Sequence, residues 1–79
     1  MRVLLEILLS DYHLCLARLP LNSVEYRTLQ NGVRERNESD EEVIHVLCDP
    51  PVAQSILRLL AIHCPEIIDR VRQLPENNR

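Results

Sequence analysis

The sequence contains no lysine, phenylalanine or tryptophan, two tyrosines and a single glycine, Gly32. Each shortage excludes something. Without lysine there is no Schiff-base nucleophile and no P-loop phosphate grip. With one glycine the chain lacks the turn residues that a compact all-β domain needs at many corners. With few aromatics, its apolar content is carried by fourteen leucines, the habit of helical proteins rather than of strands. Charge of one sign is also missing in bulk: nine arginines are spread among twelve acids for a net charge of −3. A nucleic-acid binder shows a clustered basic excess instead.

What is present is enough for one domain. At 79 residues, 46 % apolar and 27 % charged, the composition is that of a folded globule. A chain this short buries only about 60 to 65 % of its unfolded surface, so association with a partner would add to a thin margin. Three cysteines do not close a disulfide framework, which points to a reducing compartment. The apolar start, Met1 to Leu9, is interrupted by Glu6 and followed by Asp11 and His13, unlike a signal h-region or a membrane span. A cytoplasmic protein is the expectation.

Read by periodicity, residues 2 to 18 form one amphipathic helix. Leu4, Leu5, Leu8, Leu9, Tyr12, Cys15, Leu16 and Leu19 fall on an arc of about 140°, and Pro20 ends it. Asn22 and Glu25 then make a capping box, with Leu21 and Tyr26 as a hydrophobic staple, and open a second helix that stops near Asn31-Gly32. Residues 34 to 42 read as a charged loop. Ser39 and Glu42 form a second capping box, starting a short helix to Cys48 with Val43, Val46 and Leu47 inward. Asp49 as N-cap and Pro50 at N1 begin a fourth helix to His63, and Pro65 either kinks it or starts a fifth. Residues 76–79 read as a frayed tail. The expected fold is therefore all-α, a single domain over 1–79 with four or five short helices. The alternative is α+β, with a hairpin at Asn31-Gly32 and a strand at 43–48.

Candidate sites are sparse. Each histidine has a cysteine close by, as His13-x-Cys15, His45-x-x-Cys48 and His63-Cys64, which raises a Cys/His metal site. On helical wheels the ligands face different ways, so no metal ion and no cofactor is expected. His45 and Cys48, with Asp49 beside them, lack an oxyanion-type loop, and enzyme chemistry is not expected. Leu5-Glu-Ile-Leu-Leu9 and Ile56-Leu-Arg-Leu-Leu60 resemble helix-docking motifs, but a leucine-rich core has the same look. Val3, Ile7 and Leu14 stand off the main stripe of the first helix, and Ile62 off that of the fourth. A helix apolar on two sides is central or covered by another chain. The leading expectation is thus a non-enzymatic protein–protein interaction module or subunit of a larger complex, homodimeric through the first helix, with Val3, Ile7, Leu14 and Ile62 as partner-binding residues. The alternatives are a small DNA-binding regulator with Arg27, Arg34 and Arg36 along one edge, and the metal site.

Overall fold

The computed structural model describes residues 1–75, and the tail at 76–79 lies outside them. The fold is α+β, not an all-α bundle. Its elements are β1 (Val3–Leu8), α1 (Leu9–Arg18), α2 (Val24–Gln30), β2 (Val33–Arg36), β3 (Glu42–Cys48), α3 (Pro50–His63), a 3₁₀ turn (Ile68–Arg70) and β4 (Arg72–Pro75). The strands form one antiparallel sheet in the order β2-β3-β1-β4. Two crossovers, β1 to β2 through α1 and α2 and β3 to β4 through α3, each leave room for an intervening strand. This is the split β-α-β arrangement.

The first half of the expected long helix is a strand because Val-Leu-Leu-Glu-Ile-Leu is apolar on both sides of a period of two. Val3, Leu5 and Ile7 point to the helices, Leu4, Glu6 and Leu8 to the other face, and β1 is a central strand bonded on both edges. The apolarity that reads on a wheel as a second helix face is the inner face of this strand. The other central strand, β3, inserts Ile44, Val46 and Cys48 into the same core, whereas the expected helix to Cys48 would have put Leu47 inward. Leu47 is 40 % exposed instead. β-Branched residues at 43, 44 and 46 favour the strand, and Asp40 cannot sit in a helical first turn, since its φ is 64°.

Residues 34–42 are likewise not a single loop. Arg34, Glu35 and Arg36 belong to edge strand β2, and residues 37–41 turn the chain into β3. Asn37 organises that turn: its Oδ1 accepts from the backbone N–H groups of Ser39 and Glu41, both at 2.9 Å. The hairpin thus lies five residues beyond Asn31-Gly32. Gly32 serves a different purpose, since a Cβ there would lie 2.3 Å from Ile44 Cγ2. It lets the chain pass from α2 into β2 against the core.

The helix signals fare better. Pro50 opens α3 after Asp49, and α3 ends at His63 as the sequence indicates. For α2 the cap is Ser23 rather than Asn22: Ser23 Oγ accepts from the Tyr26 N–H at 3.0 Å. Beyond Pro65 neither a kinked nor a fifth α-helix follows, because Ile68–Arg70 is a 3₁₀ turn that delivers β4 to the sheet. The core lies between the helices and one face of the sheet, built from Leu5, Ile7, Ile44, Val46, Leu29, Ile56, Leu60 and Ile67.

Candidate functional site: the open face of the sheet

All the helices cover one side of the sheet, which leaves the other side to define the molecule's most distinctive surface. Its pattern follows from strand register. Leu47, Leu4 and Leu74 form one row across β3, β1 and β4. The next row, across all four strands, is Val33, His45, Glu6 and Arg72. The third is Glu35, Val43 and Leu8.

Glu6 sits at the middle of this face yet is only 5 % exposed. Its Oε2 lies 3.0 Å from His45 Nε2, and its Oε1 accepts from Arg72 Nη1 at 3.2 Å. Directly opposed positions on antiparallel strands bring these three together, and the carboxylate is compensated from both neighbours. A second buried acid, Asp11 at the start of α1, is gripped by Arg70 through two bonds, Nε to Oδ2 at 2.9 Å and Nη2 to Oδ1 at 3.1 Å. This pairing holds Arg70 firmly protonated. Arginines on either side of β4's start thus tie the C-terminal segment to two acids near the N-terminus.

The two ends of the face differ. Towards Leu8 and Val43, the 37–41 turn and the 3₁₀ turn lean over the sheet and leave a cleft of about 310 Å³ beside Glu6, Arg70 and Arg72. Val43 is fully buried there. Towards the other end lies a cleft of about 380 Å³, bounded by Leu4, Val33, His45 and Leu47 together with Thr28, Asn31 and Glu35. Val33 is 56 % exposed and Leu47 40 %. Among the described residues, nothing covers these two apolar side chains.

The residues singled out in the sequence are dispersed. Ile7 is fully buried against the helices and offers no partner surface, since it belongs to the inner face of β1. Val3 and Leu14 are half-buried at the edge of the core. Ile62 is 65 % exposed on α3, beside a separate groove with Leu59 and Arg58. Arg34 and Arg36 both pair with Glu42, and Arg36 also donates to the Asp40 carbonyl at 2.8 Å. Arg27 stands exposed on α2. His45 turns to Glu6, while Cys48 points to the opposite face of β3, so the His45–Cys48 pair is divided by the sheet. Among the described residues, no three His, Cys, Asp or Glu side chains gather as a metal ion requires. No helix among them is long and apolar enough to cross a membrane.

Sequence reasoning missed Glu6, His45, Arg72 and the uncovered leucines as one surface. The available signal was the acid interrupting an apolar run: a buried charge at the centre of Leu4-Leu5-Glu6-Ile7-Leu8 makes sense only with cross-strand partners. No family model matches the chain, and comparison with curated proteins and with solved structures finds no match. A shared arrangement of strands and helices would not by itself assign a function.

Proposed function

We propose that this chain is a non-enzymatic protein–protein interaction module that self-associates through the open face of its sheet. The observation that carries this reading is the uncovered apolar end of that face, Leu4, Val33, Leu47 and Leu74, set beside an acid already neutralised within its own chain. Burying the leucine end of such a face leaves Glu6 with its partners.

The occupant is a second copy, because the face is complementary to itself. Exposed Glu35 stands on edge strand β2 and exposed Arg72 on the opposite edge strand, β4. Two sheets packed face to face about a two-fold axis parallel to their strands set β2 of one copy over β4 of the other, with Glu35 one row, ~7 Å along the strand, from the partner's Arg72 at both edges. With strands ~4.8 Å apart and ~3.3 Å per residue, the open face measures roughly 19 by 17 Å. That is below the ~800 Å² per partner of a standard interface, so association belongs at the weak, micromolar end or beyond. Nucleic acid suits this face poorly. Base recognition on a sheet uses stacked aromatics, and both tyrosines lie on helices.

Sedimentation velocity over a concentration series tests the reading. Self-association is expected in the native chain, is lost in Leu47→Glu, and persists in Ile62→Glu, which alters the helix side. A native chain that stays monomeric into the high micromolar range, or one dissociated by Ile62→Glu and not by Leu47→Glu, would refute it.

A further inference from the structure

The two edges of the sheet are finished differently. On β2, Arg34 and Arg36 occupy helix-side positions opposite Ile44 and Glu42, and both pair with Glu42. Charged side chains along an edge keep other strands from adding to it. On β4 the arginines are drawn elsewhere: Arg72 points to the open face and is tied to Glu6, and Arg70, just before the strand, is tied to Asp11. β4 is bonded only to β1, so alternate backbone N–H and C=O groups on its outer side have no partner strand. The helix layer also stops short of this edge. Gln73 lies directly opposite Leu5, on the helix side of the sheet, yet Leu5 is fully buried and Gln73 is exposed. Beside Gln73 opens a cleft of about 450 Å³, larger than either cleft of the open face. Gln54, Leu57 and Arg58 of α3 line one side of it, and Ile68, Val71 and Gln73 the other. Leu57, Ile68 and Val71 are half-buried against the core and supply its apolar surface. Arg58 is exposed, is the one charged residue lining the cleft, and has no ion pair among the described residues.

The geometry points to a peptide-binding edge: β4 takes an extended, acidic segment of another protein as an added strand, whose alternate side chains enter the cleft between α3 and β4. What completes an open strand edge is another extended backbone, since its N–H and C=O groups repeat at the spacing of the ladder. Side chains of the added strand alternate between the two faces, so every second one falls on the helix side. There Leu57, Ile68 and Val71 receive an apolar residue, and Arg58 receives a carboxylate. A second copy of this chain supplies no such acid. Its β4, Arg72-Gln-Leu-Pro75, contains none, and its β2 would bring Arg34 and Arg36 to the side where Arg58 stands. The cleft is on the opposite side of the sheet from the self-association face, and the inference does not depend on that face.

The probe is a random linear dodecapeptide library displayed on phage and selected against the immobilised full chain, with enriched sequences then made as free peptides. Enriched sequences are expected to alternate apolar and polar residues and to carry Asp or Glu in phase with the apolar ones. On binding, the backbone amide resonances of residues 71–74 shift and those of Val33 and Leu47 do not. Methylating one alternate set of the peptide's backbone nitrogens abolishes binding, and methylating the other set leaves it intact. Arg58→Glu, a change at an exposed position, weakens binding by about threefold or more, whereas Leu47→Glu leaves it unchanged. Failure to enrich any peptide, shifts confined to the open face, equal tolerance of both methylated sets, or an unaltered affinity in Arg58→Glu would each overturn the inference. So would concentration-dependent shifts of residues 71–74 in Leu47→Glu without peptide, which would give the edge to a second copy.

Discussion

Replacing Arg72 by methionine should destabilise this protein more than replacing the buried acid it serves. Arg72 is 61 % exposed, so as an ion pair alone it contributes ~0–1 kcal/mol. Glu6, with 6 % of its side chain exposed, has lost its hydration whether or not arginine is present. In Arg72→Met the carboxylate keeps only His45, whose ring is 20 % exposed. Stranding a fully buried charge costs about 3–5 kcal/mol; water entering where the guanidinium stood lowers this to ~2 kcal/mol. For a domain of this size that is a fall in melting temperature of roughly 8–16 °C. Glu6→Met removes the charge and its desolvation together. Arg72 then turns to solvent and His45 remains near water, for a cost of ~1 kcal/mol or less. The double variant should be no less stable than Glu6→Met, giving a coupling of ~2 kcal/mol or more. Thermal and urea denaturation followed by circular dichroism, at concentrations where the chain is monomeric, measure all four forms. If Glu6→Met proves costlier than Arg72→Met, Glu6 is a net source of stability and the reasoning fails.

Two further outcomes follow from the core. Gly32→Ala would force a methyl to within 2.3 Å of Ile44 Cγ2 and 3.2 Å of the Leu29 carbonyl oxygen; since Ile44 is itself buried, overpacking should cost ~1–3 kcal/mol, and a urea midpoint equal to the native one would contradict this. Stability should also fall in alkali. Burial raises Cys15 from 9.0 to about 12, and raises Cys48 and Tyr12 as well, so all three ionise more readily unfolded than folded. Their contribution is complete below pH 9 and is lost as the pH climbs from there towards 12. A urea midpoint unchanged between pH 8 and 11 would count against those shifts.

The parts of this fold written in short-range chemistry were legible. Asp49-Pro50 marks the start of α3 because an N-cap followed by a proline without an N–H has few other uses, and Pro20 stops α1 for equally local reasons. The sheet was hidden by two coincidences. Leu4-Leu5 and Leu8-Leu9 look like adjacent pairs on a helical stripe, but in a central strand apolar on both faces alternation disappears, so the period of two carries no contrast. The abundance of leucine and the single glycine reinforce the helical reading, although this topology needs only one tight hairpin, and Asn37 and Asp40 make that turn without glycine. The candidate site was lost with the sheet. Glu6, His45 and Arg72 are 39 and 27 residues apart in sequence and meet only through strand register. The apolarity that reads as a partner face at Val3 and Ile7 is the inner face of β1 itself.

The buried polar groups of the molecule are paired within the chain: Glu6 with His45 and Arg72, Asp11 with Arg70, and the Tyr12 hydroxyl, which donates to the Leu29 carbonyl at 2.8 Å. Among the described residues, no buried side-chain nitrogen or oxygen lacks a hydrogen-bond partner. Several large apolar side chains meet water, among them Val33 and Leu47 at one end of the sheet face. On the proposed reading a second copy covers that end, with Glu35 and Arg72 standing on the two edge strands.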